Sequence, residues 1–265
     1  MAKSFLEKIV VVSGGSSGIG RATALRYASM GATVYELSRS GQDIDGIVHI
    51  TCDITVDEQV RDAITMIGDK HSRIDILVNN AGFGISGAIE HTPVDKAKRQ
   101  FDVNFFGLVS INYYAMKYLR ESQDPRIINV SSVAGVAPIP FQAYYSATKS
   151  AINTYTLALH NEVKRYGIKV TSLMPGDIRT GFTDAREKIE ECEGYGDRID
   201  KSIEGMERDE QNGKSPDFIA KKIVSLSTKR RPPLLCSAGL GYRLICLLLK
   251  ILPTRFGVWV IGKLY

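Results

Sequence analysis

The stretch KIVVVSGGSSGIG, residues 8–20, packs a strand, a turn and the start of a helix into thirteen residues. Ile9 to Val12 form a short run of β-branched residues with no polar alternation, the mark of a strand buried on both faces. Glycines at 14, 15, 18 and 20 follow at once. GIGRATALRYASMGA then carries a helical pattern closed by Gly31. A doubly buried strand running straight into a helix is the repeating unit of a parallel sheet covered by helices.

The unit recurs along the chain. TVYEL, GIVHITCDI, IDILVNNAG, RIINVSS and IKVTSLMPG read as five further strands. Between them lie a helix near 56–70, one long helix over VDKAKRQFDVNFFGLVSINYYAMKYLRES and another over QAYYSATKSAINTYTLALHNEVKRYG. With right-handed crossovers, the expected fold is α/β: a doubly wound parallel sheet of Rossmann type. We assign residues 1–238 to a single catalytic domain and 239–265 to a helical tail that is apolar and basic. No repeat or linker interrupts this pattern.

Residues 182–215 differ in character. They hold eleven acidic and six basic residues, with Ile199, Ile203 and Met206 at helical spacing. They read as a polar, mobile insertion with one amphipathic helix. Because the segment follows a strand's C-terminal end, where open α/β sheets bind ligands, it is either a lid or a solvated excursion.

Composition narrows the function. The 265 residues are 44% hydrophobic and 24% charged, ordinary for a globular protein able to bury a large core. Cys52, Cys192, Cys236 and Cys246 show no CxxC spacing, and no secretory-type apolar segment precedes them, so a reducing, cytoplasmic setting is expected. The four histidines, at 49, 71, 91 and 160, lack metal-ligand spacing, and no metal is expected. The net charge of +5 is segregated: nine basic and no acidic residues follow Asp217, against 25 basic and 29 acidic residues before that tail. That is not the even basic surface of a nucleic-acid binder.

The glycine turn points to a nucleotide. Gly14, Gly18 and Gly20 allow a tight turn and close approach of backbone to a pyrophosphate, and the helix N-terminus that follows offers free N–H groups. The end of the second strand, YELSRS, places Ser38 and Arg39 where a carboxylate would bind a 2′-hydroxyl and repel a 2′-phosphate. Arg39 suits a phosphate, so the expected cofactor is NADP(H).

In FQAYYSATKS, residues 141–150, Tyr145 and Lys149 stand four apart and share one helix face, while Tyr144 does not share it. Together these motifs resemble the short-chain dehydrogenase/reductase family over nearly the whole chain. The family's TGxxxGxG appears as Ser13 to Gly20, with serine for the leading threonine and the hydroxyl kept. NNAG is Asn79 to Gly82, of which Asn80, Ala81 and Gly82 would flank the cofactor. Asp53, with Ile54 beside it, matches the position that contacts adenine. Ser16, Ser17 and Ile19 belong to the glycine motif. Pro175-Gly176, Ile178 and Thr180 match the segment touching the nicotinamide end. By the same resemblance, Asn104, Ser132, Tyr145 and Lys149 are the catalytic set, Ser132 being chosen over Ser131 because it lies thirteen positions before Tyr145. Tyr145 would serve as general acid in reduction, Ser132 would hold the substrate oxygen, Lys149 would hold the nicotinamide ribose and favour the phenolate, and Asn104 would anchor a relay water.

The expected pocket walls, Ile85, Val133, Ile139 and Phe182 beside Ser132 and Tyr145, are apolar and suit a lipophilic alcohol or ketone. The resemblance extends to a branch with steroid, retinol and acyl-dihydroxyacetone-phosphate reductases, which implies a hydroxysteroid-type substrate, with the retinoid and acyl-dihydroxyacetone-phosphate alternatives kept. An NADP(H)-binding sensor or scaffold without turnover is the rival class. Family members associate through their long helices, here near 95–120 and 143–166, so a homodimer or homotetramer is expected. The tail, residues 240–265, is interrupted by Lys250 and Pro253 and cannot span a bilayer. It suits either peripheral membrane contact or packing on its own domain or a dimer partner.

Overall fold

The computed structural model describes residues 5–44, 46–189 and 194–264. Cys192 and residues 190–193 of the insertion lie outside the described residues.

The first unit forms as its sequence demands. β1 (Ile9–Ser13) is buried along its whole length and leads through the glycine turn into α1 (Gly18–Ala28). β2 (Thr33–Ser38), β3 (Ile47–Thr51), α2 (Asp57–His71) and β4 (Ile76–Asn79) complete the first half. The second half contains β5 (Ile85–Ser86), α3 (Val94–Phe101), α4 (Gly107–Arg120), β6 (Arg126–Val130), α5 (Ala143–Val163) and β7 (Lys169–Pro175). It continues with β8 (Glu187–Lys188), α6 (Arg198–Gln211), α7 (Pro216–Ser227), β9 (Leu235–Ala238), α8 (Leu240–Ile251) and α9 (Thr254–Leu264).

Seven parallel strands make the main sheet, in the order β3-β2-β1-β4-β6-β7-β9. The order reverses between β1 and β4, and the crevice above that point is where such sheets take a ligand. α2, α4 and α5 cover one face through Val60, Ile64, Ile111, Leu119 and Leu159. α1 and α7 cover the other through Ala24, Tyr27, Ile219 and Ile223, with the Tyr27 hydroxyl bonded to Ser227 at 2.9 Å.

Three local features depart from the sequence reading. The single long helix is divided: a π-helical turn at Asp102–Phe106 separates α3 from α4 and carries the buried Asn104. Such wide turns displace a side chain from the regular helical row and recur at functional sites. The sheet has a seventh strand, β9, four residues long and paired with β7 from Ser172↔Leu235 to Pro175↔Ala238. The insertion is not a bare excursion: β8 pairs with β5, and α6 buries Ile199, Ile203 and Met206 against Ala88.

Candidate active site

The turn after β1 is held from below. The Ser13 hydroxyl accepts from the backbone N–H groups of Asn80 (3.0 Å) and Ala81 (3.2 Å), and the Asn80 amide donates to the Gly14 carbonyl at 3.1 Å. This is why serine can replace threonine at position 13: the hydroxyl carries the contact. Gly14 and Gly18 have φ of +65° and +52°, the left-handed region that favours glycine. A Cβ on Gly20 would lie 2.0 Å from the Gly14 carbonyl oxygen. The first turn of α1 holds no acidic residue, and Ser17 makes no side-chain cap. Its N–H groups and partial positive charge are therefore uncommitted, and Ser16, Ser17 and Ile19 line the rim. These features fit a dinucleotide pyrophosphate.

At the adenosine end, the Ser38 hydroxyl donates to the Ser40 carbonyl at 2.9 Å, and Arg39 is exposed. Glu36 is buried beneath Gly15, bonded to His49 and to Ser38, with Oε2 unpartnered among the described residues. Asp53 turns its carboxylate back on its own loop, accepting from the Thr55 N–H (3.0 Å) and hydroxyl (2.7 Å). Ile54 is buried against Gly107.

The catalytic candidates meet at the start of α5. Lys149 is only 4% exposed and its Nζ donates to the Val130 carbonyl at 3.0 Å. It lies 5.6 Å from the centre of the Tyr145 ring. The Tyr145 hydroxyl is hydrogen-bonded to Ser132, which also caps the following turn by accepting from the Ala134 N–H at 3.1 Å. Ser131 faces away, donating to the Lys149 carbonyl at 2.8 Å. Tyr144 likewise points elsewhere, its hydroxyl 3.4 Å from the Ile89 carbonyl. The two Asn104 amide ends clamp Phe83: Oδ1 accepts from its N–H (2.9 Å) and Nδ2 donates to its carbonyl (3.0 Å). Nδ2 also reaches Thr148 at 3.2 Å. A Cβ on Gly82 would lie 3.0 Å from Asn104 Oδ1 and 3.6 Å from Lys149 Nζ, so the asparagine and lysine face each other across that glycine.

The electrostatics follow burial. Burial pushes the Tyr145 phenol up to about 12, against the pull of its Ser132 hydrogen bond. Tyr145 as a whole residue is half-buried, and desolvation is the largest cause of its shift. Burial brings the Lys149 ammonium down to about 8. In the protein alone each charged form is penalised by its own burial, and the other charges that act on Tyr145 are Glu210, which raises it, and Arg186, which lowers it.

Of the remaining positions, Phe182 packs on Tyr145 with ring centres 5.6 Å apart, and Thr180 faces Gly18 across the crevice. Gly176 lies beneath the Tyr242 ring, Pro175 pairs with Ala238 of β9, and Ile178 bridges to Lys214. Ile85 is buried in β5. Val133 packs toward the tail, and Ile139 packs beside α6. Surface hollows at Asp43–Val48 and at Phe105–Ala151–Tyr155 lie on other faces, so the chemistry identifies the site.

Sequence reasoning missed Arg186. Its guanidinium is fully buried over the Phe182 ring and paired with Glu210 and, through Nη1 at 4.0 Å, with Glu207, while Nε and Nη1 have no hydrogen-bond partner among the described residues. Its isolated position in a polar insertion gave no signal. Thr148, Tyr242 and Glu36 were also passed over: the contacts that matter, with Asn104, Asp177 and His49, lie 44, 65 and 13 residues away.

A family model described as short chain dehydrogenase matches residues 8–191. A 3-ketodihydrosphingosine reductase of Bacteroides thetaiotaomicron is 36% identical over 236 residues, covering 88% of each chain. A short-chain dehydrogenase structure from Streptomyces avermitilis superposes with a TM-score of 0.85 at 27% identity, over 96% of each chain. ElxO with NADP bound gives a TM-score of 0.74 at 25% identity, over 90% of this chain and 100% of ElxO. A Brucella melitensis 3-ketoacyl-(acyl-carrier-protein) reductase complexed with NADH gives 0.74 at 26%, over 89% and 99%.

Proposed function

Because the chain belongs to the short-chain dehydrogenase family and is an oxidoreductase of that family, we propose that it is an NADPH-dependent reductase of a long-chain lipophilic ketone. The observation that carries this reading is the Ser132–Tyr145–Lys149 group, with the Phe182 ring against Tyr145, gathered after β6, two strands from β1 and next to β4, where the strand order reverses. The sphingoid-type ketone for which the Bacteroides relative is named is a closer guide to the substrate than the hydroxysteroid expected from sequence. Ser38 and Arg39 at the end of β2 support NADPH, the Glu36 carboxylate lying earlier in the strand, buried and bonded to His49 and Ser38.

The cofactor would rest on Gly14–Gly20, Ser38 and Arg39, with Asn80–Gly82, Lys149 and Pro175–Thr180 toward its nicotinamide end, and it supplies a hydride to the carbonyl carbon. Everything else falls to the chain. Ser132 donates a hydrogen bond to the substrate oxygen as negative charge gathers there. Tyr145, kept protonated by burial, delivers its proton to that oxygen. Lys149, held by Val130, keeps a positive charge beside the emerging phenolate. Asn104 fixes Phe83 and Thr148, and Thr148 donates to the Tyr145 carbonyl at 2.7 Å, so the α5 turn that bears the acid is anchored.

Exposed Phe106, Tyr113 and Leu157 on α4, α5 and the turn before them support self-association through these helices, which size-exclusion chromatography reads directly. The substrate test is a panel of a 3-keto sphingoid base, a ketosteroid and small polar ketones, each with NADPH and NADH. Preference for the sphingoid ketone with NADPH is expected. Preference for small polar ketones or sugars, a lower KM for NADH, or cofactor binding without turnover of any ketone overturns the reading.

A further inference from the structure

We propose that α8 and α9 form an interfacial anchor that docks the protein on an anionic lipid surface. One side of this helix pair is spoken for. Cys246 and Ile261 are buried, with Tyr242 and Leu249, against Val133, Ala137 and Met174. The other side is bare and apolar. Leu240 is 83% exposed, Ile251 72% and Trp259 58%, and Leu244, Leu247, Leu248, Phe256 and Val258 are exposed beside them. The Phe256 and Trp259 rings stack on each other, 5.8 Å apart, at the surface. An apolar patch of this extent marks a surface that meets another apolar phase.

Charge selects the phase. Arg243 and Lys250 flank Leu247 on one stripe of α8, and Arg255 and Lys263 flank Trp259 on one stripe of α9. All four are exposed, and no acidic residue follows Asp217. A second copy of the same face would bring like charges together, whereas an anionic headgroup layer meets both the cations and the apolar side chains. Aromatic rings bordered by cations suit the headgroup boundary. At 12 and 11 residues the helices span roughly 18 and 16 Å, short of a bilayer core of about 30 Å, and no helix among the described residues is long and apolar enough to cross one. The anchor therefore lies in the interface.

Its underside is the back of the active site. Val133 directly follows Ser132, and the Tyr242 ring fills the space where a Cβ on Gly176 would sit, 2.2 Å away. The Tyr242 hydroxyl accepts from the Asp177 N–H at 3.2 Å and donates to the Asp177 carboxylate. Docking would set the pocket against the bilayer that holds a lipophilic ketone; this last step rests on the proposed substrate, whereas the docking itself does not.

The test is flotation of the full-length protein with vesicles of phosphatidylcholine alone and of phosphatidylcholine mixed with phosphatidylglycerol. The expected result is flotation with the anionic vesicles only. Arg243→Gln/Lys250→Gln/Arg255→Gln should weaken partitioning on the order of a hundredfold, and Leu247→Gln/Trp259→Gln by at least roughly tenfold. Both variants should keep their melting temperature and their rate on a short soluble ketone, while KM for a vesicle-borne ketone rises. Failure of the wild type to float, equal flotation with both vesicles, or undiminished flotation of the apolar variant overturns the proposal. So does conversion of a dimer to a monomer by Leu247→Gln/Trp259→Gln without vesicle binding, which would make the face a protein contact. Loss of all ketone turnover with flotation intact would instead strike the proposed enzyme activity.

Discussion

Replacing Tyr145 by phenylalanine removes one oxygen and leaves its surroundings in place. The ring keeps its contact with Phe182, at 5.6 Å between centres, and its position 5.6 Å from Lys149 Nζ. The lost hydroxyl has one hydrogen-bond partner, Ser132, which retains the Ala134 N–H. One such bond is worth about 1 kcal/mol net, and the desolvation cost of the phenol disappears with it, so stability should change by no more than about 1 kcal/mol. Cofactor affinity should hold. The proton donor, by contrast, is gone: general acid catalysis typically contributes about 10²–10⁴-fold, or roughly 3–5 kcal/mol of barrier. The expected result is a fall of that size in kcat and kcat/KM together, with KM little changed. The assay follows the near-ultraviolet absorbance of NADPH under ketone, with cofactor binding measured separately by fluorescence. Tyr144→Phe, whose hydroxyl only reaches the Ile89 carbonyl, serves as the control and should keep nearly the full rate. If Tyr145→Phe binds NADPH normally and reduces ketone at the wild-type rate, the assignment of the proton donor is wrong.

Other outcomes follow from the same geometry. Because burial brings Lys149 down to about 8, ketone reduction should decline as the pH rises through about 8, when the ammonium is lost. In Lys149→Arg that alkaline limb should vanish, since guanidinium stays charged, and a limb that persists in its pH profile assigns it to another group. Gly20→Ala places a methyl 2.0 Å from the Gly14 carbonyl, so fluorescence titration should show NADPH affinity lowered by at least roughly tenfold; unchanged binding would mean that the turn is not the pyrophosphate site. Arg186→Met keeps the apolar stem over Phe182 but leaves Glu210 uncompensated beside Tyr145; KM for a polar-headed ketone should rise more than KM for a plain alkyl ketone, and equal changes would restrict Arg186 to holding the insertion. Burial alone would raise the Asp75 carboxyl, but the Ile9 N–H (2.9 Å), the Ser122 hydroxyl (2.6 Å) and Lys8 (3.0 Å) outweigh it and hold it below the usual aspartate range. Its contribution is complete above the ordinary aspartate value and lost as the pH falls through the lower folded value. Asp75→Asn should cost about 2–4 kcal/mol in urea melts at neutral pH and flatten the acid dependence.

The amino-acid sequence by itself determined the parallel sheet, the glycine turn and the spacing of Ser132, Tyr145 and Lys149, because each is written locally: a buried β-branched run, glycines at left-handed positions, and a four-residue helical interval. It also marked Ile199, Ile203 and Met206 as the inner face of α6. Only the tertiary structure decided the rest. β9 is the four residues Leu235–Ala238, of which Ser237 and Ala238 are buried because β7 offers an edge and α8 lies alongside. The π-helical turn at Asn104 depends on Phe83 and Thr148, 21 and 44 residues away. Arg186 meets the Phe182 ring and Glu210 of α6 because β8, which follows it, pairs with β5. The tail sequence left open whether its apolar residues turn inward or outward; Cys246 and Ile261 took the inward side, against Val133, Ala137 and Met174, and the cationic, apolar face was left outside. Local pattern fixes what a segment can form, but the direction of desolvation, and with it the shifts of Tyr145 and Lys149, is set by which segments the chain folds against one another.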